Sequence, residues 1–263
     1  EIMPTEPYLL GSHSGCCGIW VSGPDEDWVP DDYKIKADNG KVYNRMTTVN
    51  GLFTCADGVG ASGHKFSSGS HAEGRMVAKQ LVRWCVDHKD YQPTLKQSAD
   101  ELKKEIYQPW YNFQEGQAES TDPSVNPNFI TPRNFMMRLI KHTDEYGGGC
   151  ATYYMTSEAM LKTGFELLDM LEEDSKKLAA RDLHELLRCW EQYHRLGTVR
   201  LHMQHIDFRK ESRYPGFYYR SDFMGINDDE WFCFVNSKFD PEKGETTLFK
   251  RPYIQVIPEP FAP

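Results

Sequence analysis

Apolar and polar positions follow different rhythms along this chain. Residues 8–22 are rich in Gly, Ser and Cys and end in the apolar run Gly18-Ile-Trp-Val21, which predicts a loop leading into a strand. Residues 23–32, GPDEDWVPDD, are acidic and turn-rich. Asp38-Asn-Gly-Lys41 is a strong turn signal with short predicted strands on either side, 33–37 and 41–46. The run 49–56, VNGLFTCA, predicts a short buried strand after an Asn50-Gly51 turn. The chain then breaks into DGVGASGHKFSSGSHAEG, and a helical pattern follows. Val77, Ala78, Leu81, Val82 and Cys85 recur at 3.6-residue spacing, so a helix is predicted over about 70–88.

Past residue 90 the pattern becomes mainly helical. Thr94 and Gln97 form a Thr-x-x-Gln capping box, predicting a helix over 95–108. Residues 114–129 are polar and contain Pro, and read as a long loop. Thr131-Pro132 is a cap followed by Pro at the first helical position, with Phe135, Met136, Leu139 and Ile140 on one face and Gly147-Gly-Gly149 as a stop. Thr156 or Ser157 caps a helix to about residue 173. Residues 176–196 predict another, with Leu183, Leu186, Leu187, Trp190 and Tyr193 inward, and 198–208 a third. Strand-like runs return at 231–236, 246–250 and 253–256. The expected organisation is residues 1–90 as α/β material and residues 91–263 as a mainly helical domain with a β-containing tail.

Composition narrows the class. Apolar residues are 39% and aromatics 13% of the chain, enough to bury a core. A net charge of −9 disfavours nucleic acid as a partner. No run approaches the roughly 18 apolar residues of a membrane span. The first residues lack the basic-then-apolar pattern of a signal peptide. Seven cysteines without a CxxC spacing argue against an iron–sulfur cluster or a four-thiolate zinc site in this chain, and a reducing, cytoplasmic setting is expected.

Two loops carry candidate chemistry. The Gly/Ser segment 57–70 lies between a strand and a helix, where small residues and unpaired amides suit a nucleotide, phosphate or cofactor edge. A tight structural turn explains it equally well. His13 lies in the glycine-rich Gly11-Ser-His-Ser-Gly15, while His64, Lys65 and His71 flank the second loop. Taken alone, a single histidine is more often structural. Three histidines and a lysine near one cofactor could hold an oxyanion, and their spacing fits no standard metal motif, so no metal site is expected.

Four blocks carry a resemblance. Asn50-Gly-Leu-Phe-Thr-Cys-Ala-Asp-Gly58 resembles the "NGLYAAGE" strand and loop of the fumarate reductase / succinate dehydrogenase flavoprotein superfamily. GHKFSSGSHAEG at 63–74 resembles its "GANRLGGNSLLEA" segment, and Ser12-His-Ser-Gly-Cys-Cys-Gly-Ile19 its "H-x-x-GGI" loop. Glu211-Ser-Arg213 with Arg220-Ser-Asp222-Phe223 resembles "ESRG…R.DFP". GCCGIWVSGPDEDWVP and GLFTCADGVGASGHKFSSGSHAEGRMVAKQLVRW are closer still to the alpha subunits of dissimilatory adenylylsulfate reductases. The resemblance runs from residue 1 to residue 263. The family's amino-terminal GxGxxG unit and arginine-bearing capping domain have no counterpart here. The implied fold is the α/β carboxy-terminal portion of an FAD-binding domain (1–90) followed by a mainly helical domain with a β-containing tail (91–263), incomplete as a catalyst by itself.

The resemblance also implies chemistry. The family reduces adenylylsulfate to AMP and sulfite, or runs the reverse, through a flavin N5–sulfite adduct. FAD is the implied cofactor. Electrons come from an iron–sulfur beta subunit with two 4Fe–4S clusters, so clusters are expected only in that partner. Asp57 takes the place of the superfamily's Glu, which holds a ribityl or ribose hydroxyl of FAD. Gly69, Ser70 and the amides leading into the helix face the flavin's pyrimidine edge. Ser14, Gly58, His64, Ser68 and His71 complete the implied cofactor shell. The implied catalytic residues are His13, near the isoalloxazine and the transferred sulfur group, and Lys65, where fumarate reductases place an arginine. A lysine cannot grip a carboxylate bidentately, which counts against a fumarate reductase-like or aspartate oxidase-like reading, but it suits an anionic sulfate ester. Arg213 and Arg220 are expected to brace the helical domain. A non-catalytic helical assembly module is the rival of a different class.

Overall fold

The computed structural model describes residues 18–59, 66–119, 129–213 and 218–254. The chain divides into two compact units, Glu1–Thr94 and Leu95–Pro263.

In the first unit, residues 18–59 form a folded loop of isolated bridges that packs on one long helix, α1 (Phe66–Asp87). Lys36 pairs with Val42 around the expected turn, where Gly40 takes φ +77°. Ser22, fully buried, ties three strands of loop together: its N–H donates to Met46 O, its carbonyl accepts from Arg45 N, and its Oγ accepts from Ile35 N. Ala37, Tyr43 and Met46 form a small core with Ile35, Phe53 and Trp84. The carboxy-terminal end of α1 is pinned to the turn. Asp87 accepts from Lys41 Nζ and Tyr43 OH, both at 2.7 Å, and His88 Nε2 lies 2.7 Å from Asp38 Oδ1.

Two local expectations change here. Residues 49–56 do not form a buried strand. Only Phe53 pairs, with Met46, and Val49 and Leu52 are more than half exposed. The Asn50-Gly51 turn sits inside the run, and Leu52 N bonds back to Val49 O, so too few residues remain to make a ladder. The helix also starts about a turn early, at Phe66. Its covered face is not the expected one. Trp84 and His88 pack on the loop, while Leu81, Val82 and Val86 are 41–67% exposed. That stripe is left uncovered by the described residues of the unit.

The second unit is built on α4 (Pro132–Tyr146), α5 (Glu158–Ser175) and α6 (Leu183–Phe208). Each start has its side-chain cap: Thr131 accepts from Asn134 N, Ser157 from Met160 N and Asp182 from Glu185 N. Phe135, Leu139, Leu161, Leu168, Leu171, Leu186, Cys189, Leu196, Met203 and Ile206 share one core. Burying a side chain of this size is worth about 1.5–3 kcal/mol. Gly164 permits the close approach of α5 to its neighbours. A Cβ there would lie 2.5 Å from Met203 and 2.8 Å from Tyr146. Two short strands, β1 (Met155–Thr156) and β2 (Tyr219–Arg220), pair in parallel. The tail is a short helix α7 (Asp228–Trp231) and an antiparallel hairpin of β3 (Cys233–Asp240) and β4 (Glu245–Pro252).

The differences in this unit have local causes. α2 (Ala99–Ile106) is capped by Ser98 and Glu101 rather than by Thr94 and Gln97. A Glu carboxylate at the third position suits the positive end of a helix better than a Gln amide. α3 (Gln108–Glu119) runs into the expected loop, because Gln114, Glu115, Gln117, Ala118 and Glu119 are good helix formers around Gly116. The two helices expected at 176–208 are one, of 26 residues, and 178–180 are extended instead, Leu178 bridging Ile130. Gly197 does not break α6, since Leu196, Met203 and Ile206 anchor both sides of it in the core. Trp231 belongs to α7, not to a strand.

Candidate functional site

The expected cofactor residues fall on two neighbouring elements of the first unit. Asp57 and Gly58 lie in a single 3₁₀ turn, Ala56–Gly58. Ser68, Gly69, Ser70 and His71 lie in the first two turns of α1. His13, Ser14, His64 and Lys65 lie outside the described residues.

The turn is held on three sides. Gly58 O accepts from Ile19 N at 2.9 Å, and the following Val59 is buried and bridges Ile19. Gly58 has no room for a side chain, because a Cβ there would collide with Thr54 Oγ1. Ala56 sits at φ +54°, a left-handed conformation that a residue with a Cβ adopts at a cost. Its N–H donates to Glu73 Oε2 at 2.7 Å. Glu73 comes from the second turn of α1, and its Oε1 lies 3.3 Å from Arg45 Nη2. This one carboxylate therefore ties the turn bearing Asp57 to the helix bearing Gly69 and Ser70. Asp57, Ser68, Ser70 and His71 are exposed, and Gly69 is buried.

Glu73 was not among the residues expected from sequence. Its signal is weak there, an acid three and four residues after Ser70 and Gly69, on the same helix face. Nothing in the sequence links it to Ala56.

A second charged cluster, in the helical unit, is structural. Arg220, fully buried, donates from Nη1 to Ile206 O (2.6 Å) and Asp207 O (3.2 Å) at the end of α6, and clamps Asp222 with Nε and Nη2 at 2.9 and 2.8 Å. Asp222 Oδ2 also accepts from Glu158 N at the start of α5. Arg213 donates to both oxygens of buried Glu211, which Arg209 and Asn227 N–H also reach. Burial pushes Glu211 up, but Arg213, the Asn227 amide and Arg209 outweigh it and hold the carboxyl below its usual range. Among the described residues, no group of three or more His, Cys, Asp or Glu is placed to hold a metal ion. Among the described residues, no helix is long and apolar enough to cross a membrane.

No protein-family model matches the chain. Over 258 residues it is 74% identical to the adenylylsulfate reductase subunit alpha of Megalodesulfovibrio gigas, a match covering 98% of this chain and 39% of the relative. By sequence the chain belongs with the carboxy-terminal portion of the adenylylsulfate reductase alpha subunits. It spans well under half the length of the curated relative. Two solved structures agree: an adenosine-5-phosphosulfate reductase in complex with sulfite as a covalent adduct, and the adenylylsulfate reductase of the hyperthermophile Archaeoglobus fulgidus. Each is 50% identical with a TM-score of 0.86, covering 94% of this chain and 38% of theirs. A quinol fumarate reductase of E. coli matches in fold alone, at 18% identity and a TM-score of 0.60 over 81% of this chain and 36% of its own. The fold class read from the sequence stands, a part resembling the carboxy-terminal side of an FAD-binding domain followed by a largely helical part with a small β tail.

Proposed function

We propose that this chain supplies the carboxy-terminal edge of the FAD site of an adenylylsulfate reductase alpha subunit. The reaction is the reduction of adenylylsulfate to AMP and sulfite, or its reverse. The observation that carries this is the 50% identical structure whose sulfite is held as a covalent adduct, matched across 94% of this chain. On this reading the first unit is the end of the FAD-binding domain, and the second is the helical domain.

The described residues fit the cofactor. Asp57 offers an exposed carboxylate as an acceptor for a sugar or ribityl hydroxyl. Ser68 and Ser70 offer hydroxyls. Gly69 lets a planar group approach the backbone, and the first turn of a 22-residue helix favours negative charge through its unpaired amides. Bound FAD supplies the electron pair that reduces the sulfur. The chain's part is to orient the anion, exclude water and balance charge. His13 and Lys65 take the roles nearest the reacting sulfur, with Lys65 neutralising the sulfate ester and His13 placed to hold or release a proton. Ser14, Gly58, His64 and His71 line the cofactor. Electrons come from an iron–sulfur beta subunit carrying two 4Fe–4S clusters, and the setting is the cytoplasm. The likeness to quinol fumarate reductase is one of fold and supports no dicarboxylate chemistry.

The test uses a full-length alpha subunit carrying this sequence, with its beta subunit. Flavin absorbance perturbed by sulfite, and AMP-dependent oxidation of sulfite, are the expected results. A colourless subunit, or one that reduces fumarate instead, overturns the proposal.

A further inference from the structure

We infer that Glu73 is a positioning residue for the flavin edge, acting through the Ala56–Gly58 turn. The inference rests on the proposed function and names a residue that reading does not use. Three observations meet at this side chain. Ala56 holds a left-handed φ of +54° although it is not glycine. The N–H of that same residue donates to Glu73 Oε2 at 2.7 Å. Glu73 is itself largely buried and is steadied by Arg45, whose own φ is +71° and whose N–H and carbonyl are both used, toward Ser22 O and Thr54 N.

Strained non-glycine residues persist where surrounding structure over-determines them, and they gather at binding sites. Here the strain falls on the residue directly before Asp57. Without an acceptor at Glu73, Ala56 relaxes toward negative φ, and the Asp57 peptide swings with it. The same carboxylate fixes the turn against the helix face that carries Gly69 and Ser70. Glu73 thus sets the spacing between the acceptor for the cofactor's hydroxyl and the small residues facing the ring, without touching the cofactor.

The test measures FAD affinity of the full-length alpha subunit by flavin fluorescence, together with amide exchange of the Ala56–Gly58 turn in the flavin-free protein. Glu73→Ala is expected to weaken FAD binding about tenfold, the factor that corresponds to the cost of a left-handed alanine. It should also speed exchange at Ala56. Glu73→Gln keeps an acceptor for the Ala56 amide and is expected to stay within about threefold of the wild type. Adding Ala56→Gly to Glu73→Ala should regain part of the loss, because glycine takes positive φ freely. If Glu73→Ala does not fold, Glu73→Asp replaces it. Aspartate keeps the charge beside Arg45 but is one methylene too short for the Ala56 amide. A wild-type subunit that binds FAD and a Glu73→Ala subunit that binds it equally well overturn the inference and leave the proposed function standing. So does a loss that Ala56→Gly does not relieve and that leaves exchange unchanged. A wild-type subunit that binds no FAD overturns the proposed function, and this inference with it.

Discussion

Asp222→Asn removes one charge from the clamp between α5 and α6 while keeping the side chain's shape. The carboxylate accepts three bonds, two from Arg220 and one from Glu158 N. Arg220 is fully buried, so the substitution leaves its guanidinium without a carboxylate partner, beside the main-chain carbonyls of Ile206, Asp207 and Arg209 and the Phe223 ring. Breaking such a pair by removing one partner costs about 3–5 kcal/mol. The depressed acidity of Asp222 gives a second figure. The Arg220 guanidinium holds Asp222 down to about 2, against an ordinary 3.8, with burial opposing and the Glu158 amide assisting. That difference is worth about 2 kcal/mol at neutral pH. The Asn variant keeps an acceptor for Glu158 N, so a loss of about 2–3 kcal/mol is expected.

The sign of the pH dependence follows. A carboxyl whose folded pKa is depressed contributes stability above its unfolded pKa and loses it as pH falls through the folded value. The window here runs from about pH 4 down to about pH 2. The gap between wild type and Asp222→Asn should therefore be full at pH 7 and reduced by about half at pH 3. Urea unfolding of the chain followed by tryptophan fluorescence measures both. A loss below about 0.5 kcal/mol at pH 7, or an equal loss at the two pH values, refutes the assignment of Asp222 as the counter-ion of Arg220.

Other outcomes follow from single contacts. Both ring nitrogens of His88 face acceptors, Asp38 Oδ1 and Trp84 O, and its pKa lies above the ordinary value, chiefly through Asp38. That contribution to stability is present below about pH 6.5 and fades as pH rises through the folded value; Asp38→Asn should shift the ring's NMR titration downward, and an unmoved titration contradicts the pairing. Gly51→Ala meets both a φ of +78° and Trp84 at 2.8 Å, whereas Gly40→Ala meets only a φ of +77°. Thermal unfolding should show a loss of about 2–4 kcal/mol for the first and about 1 kcal/mol for the second. Gly164→Ala drives a methyl into Met203 and Tyr146 and should cost about 1–3 kcal/mol, while Gly197→Ala, with open space around it, should stabilise α6 by about 1 kcal/mol. Burial pushes the Cys189 thiol up to about 12, so it should resist alkylation in the native chain while exposed Cys85 and Cys150 react.

What the sequence made legible depended on how local each cause was. The caps at Thr131 and Ser157 and the Asp38–Lys41 turn are short-range chemistry, and the structure keeps them. Ser98 displaced Thr94 because two caps of the same pattern competed four residues apart, and the pattern does not weigh a carboxylate against an amide. Periodicity found α1 but chose the wrong side of it. Leu81, Val82 and Cys85 carry the helical spacing yet are exposed, while Trp84 and His88, stacked on each other at 4.1 Å, meet the loop through Asn50 and Asp38. Aromatic and polar contacts outvoted the aliphatic stripe, and no hydropathy pattern records them.

The same limit governs the candidate site. Asp57, Gly69 and Ser70 are proposed for the cofactor edge because a resemblance places them in a motif. Glu73 lies inside the same motif, but nothing in the motif marks its contact, which depends on the backbone angle of a residue 17 positions earlier. An alanine at positive φ leaves no trace in composition, since glycine is the residue that signals such a turn and glycine is absent from that position. This asymmetry has a consequence for how the edge works. Glycine at 56 would make the turn easy to form and easy to deform. Alanine makes it costly to form, but once Glu73 satisfies the amide, fewer alternatives lie within reach. The order of the Asp57 turn thus rests on a contact from the helix, so anything that shifts the first two turns of α1 also shifts Asp57. Two elements that the sequence presents as separate loops therefore respond as one.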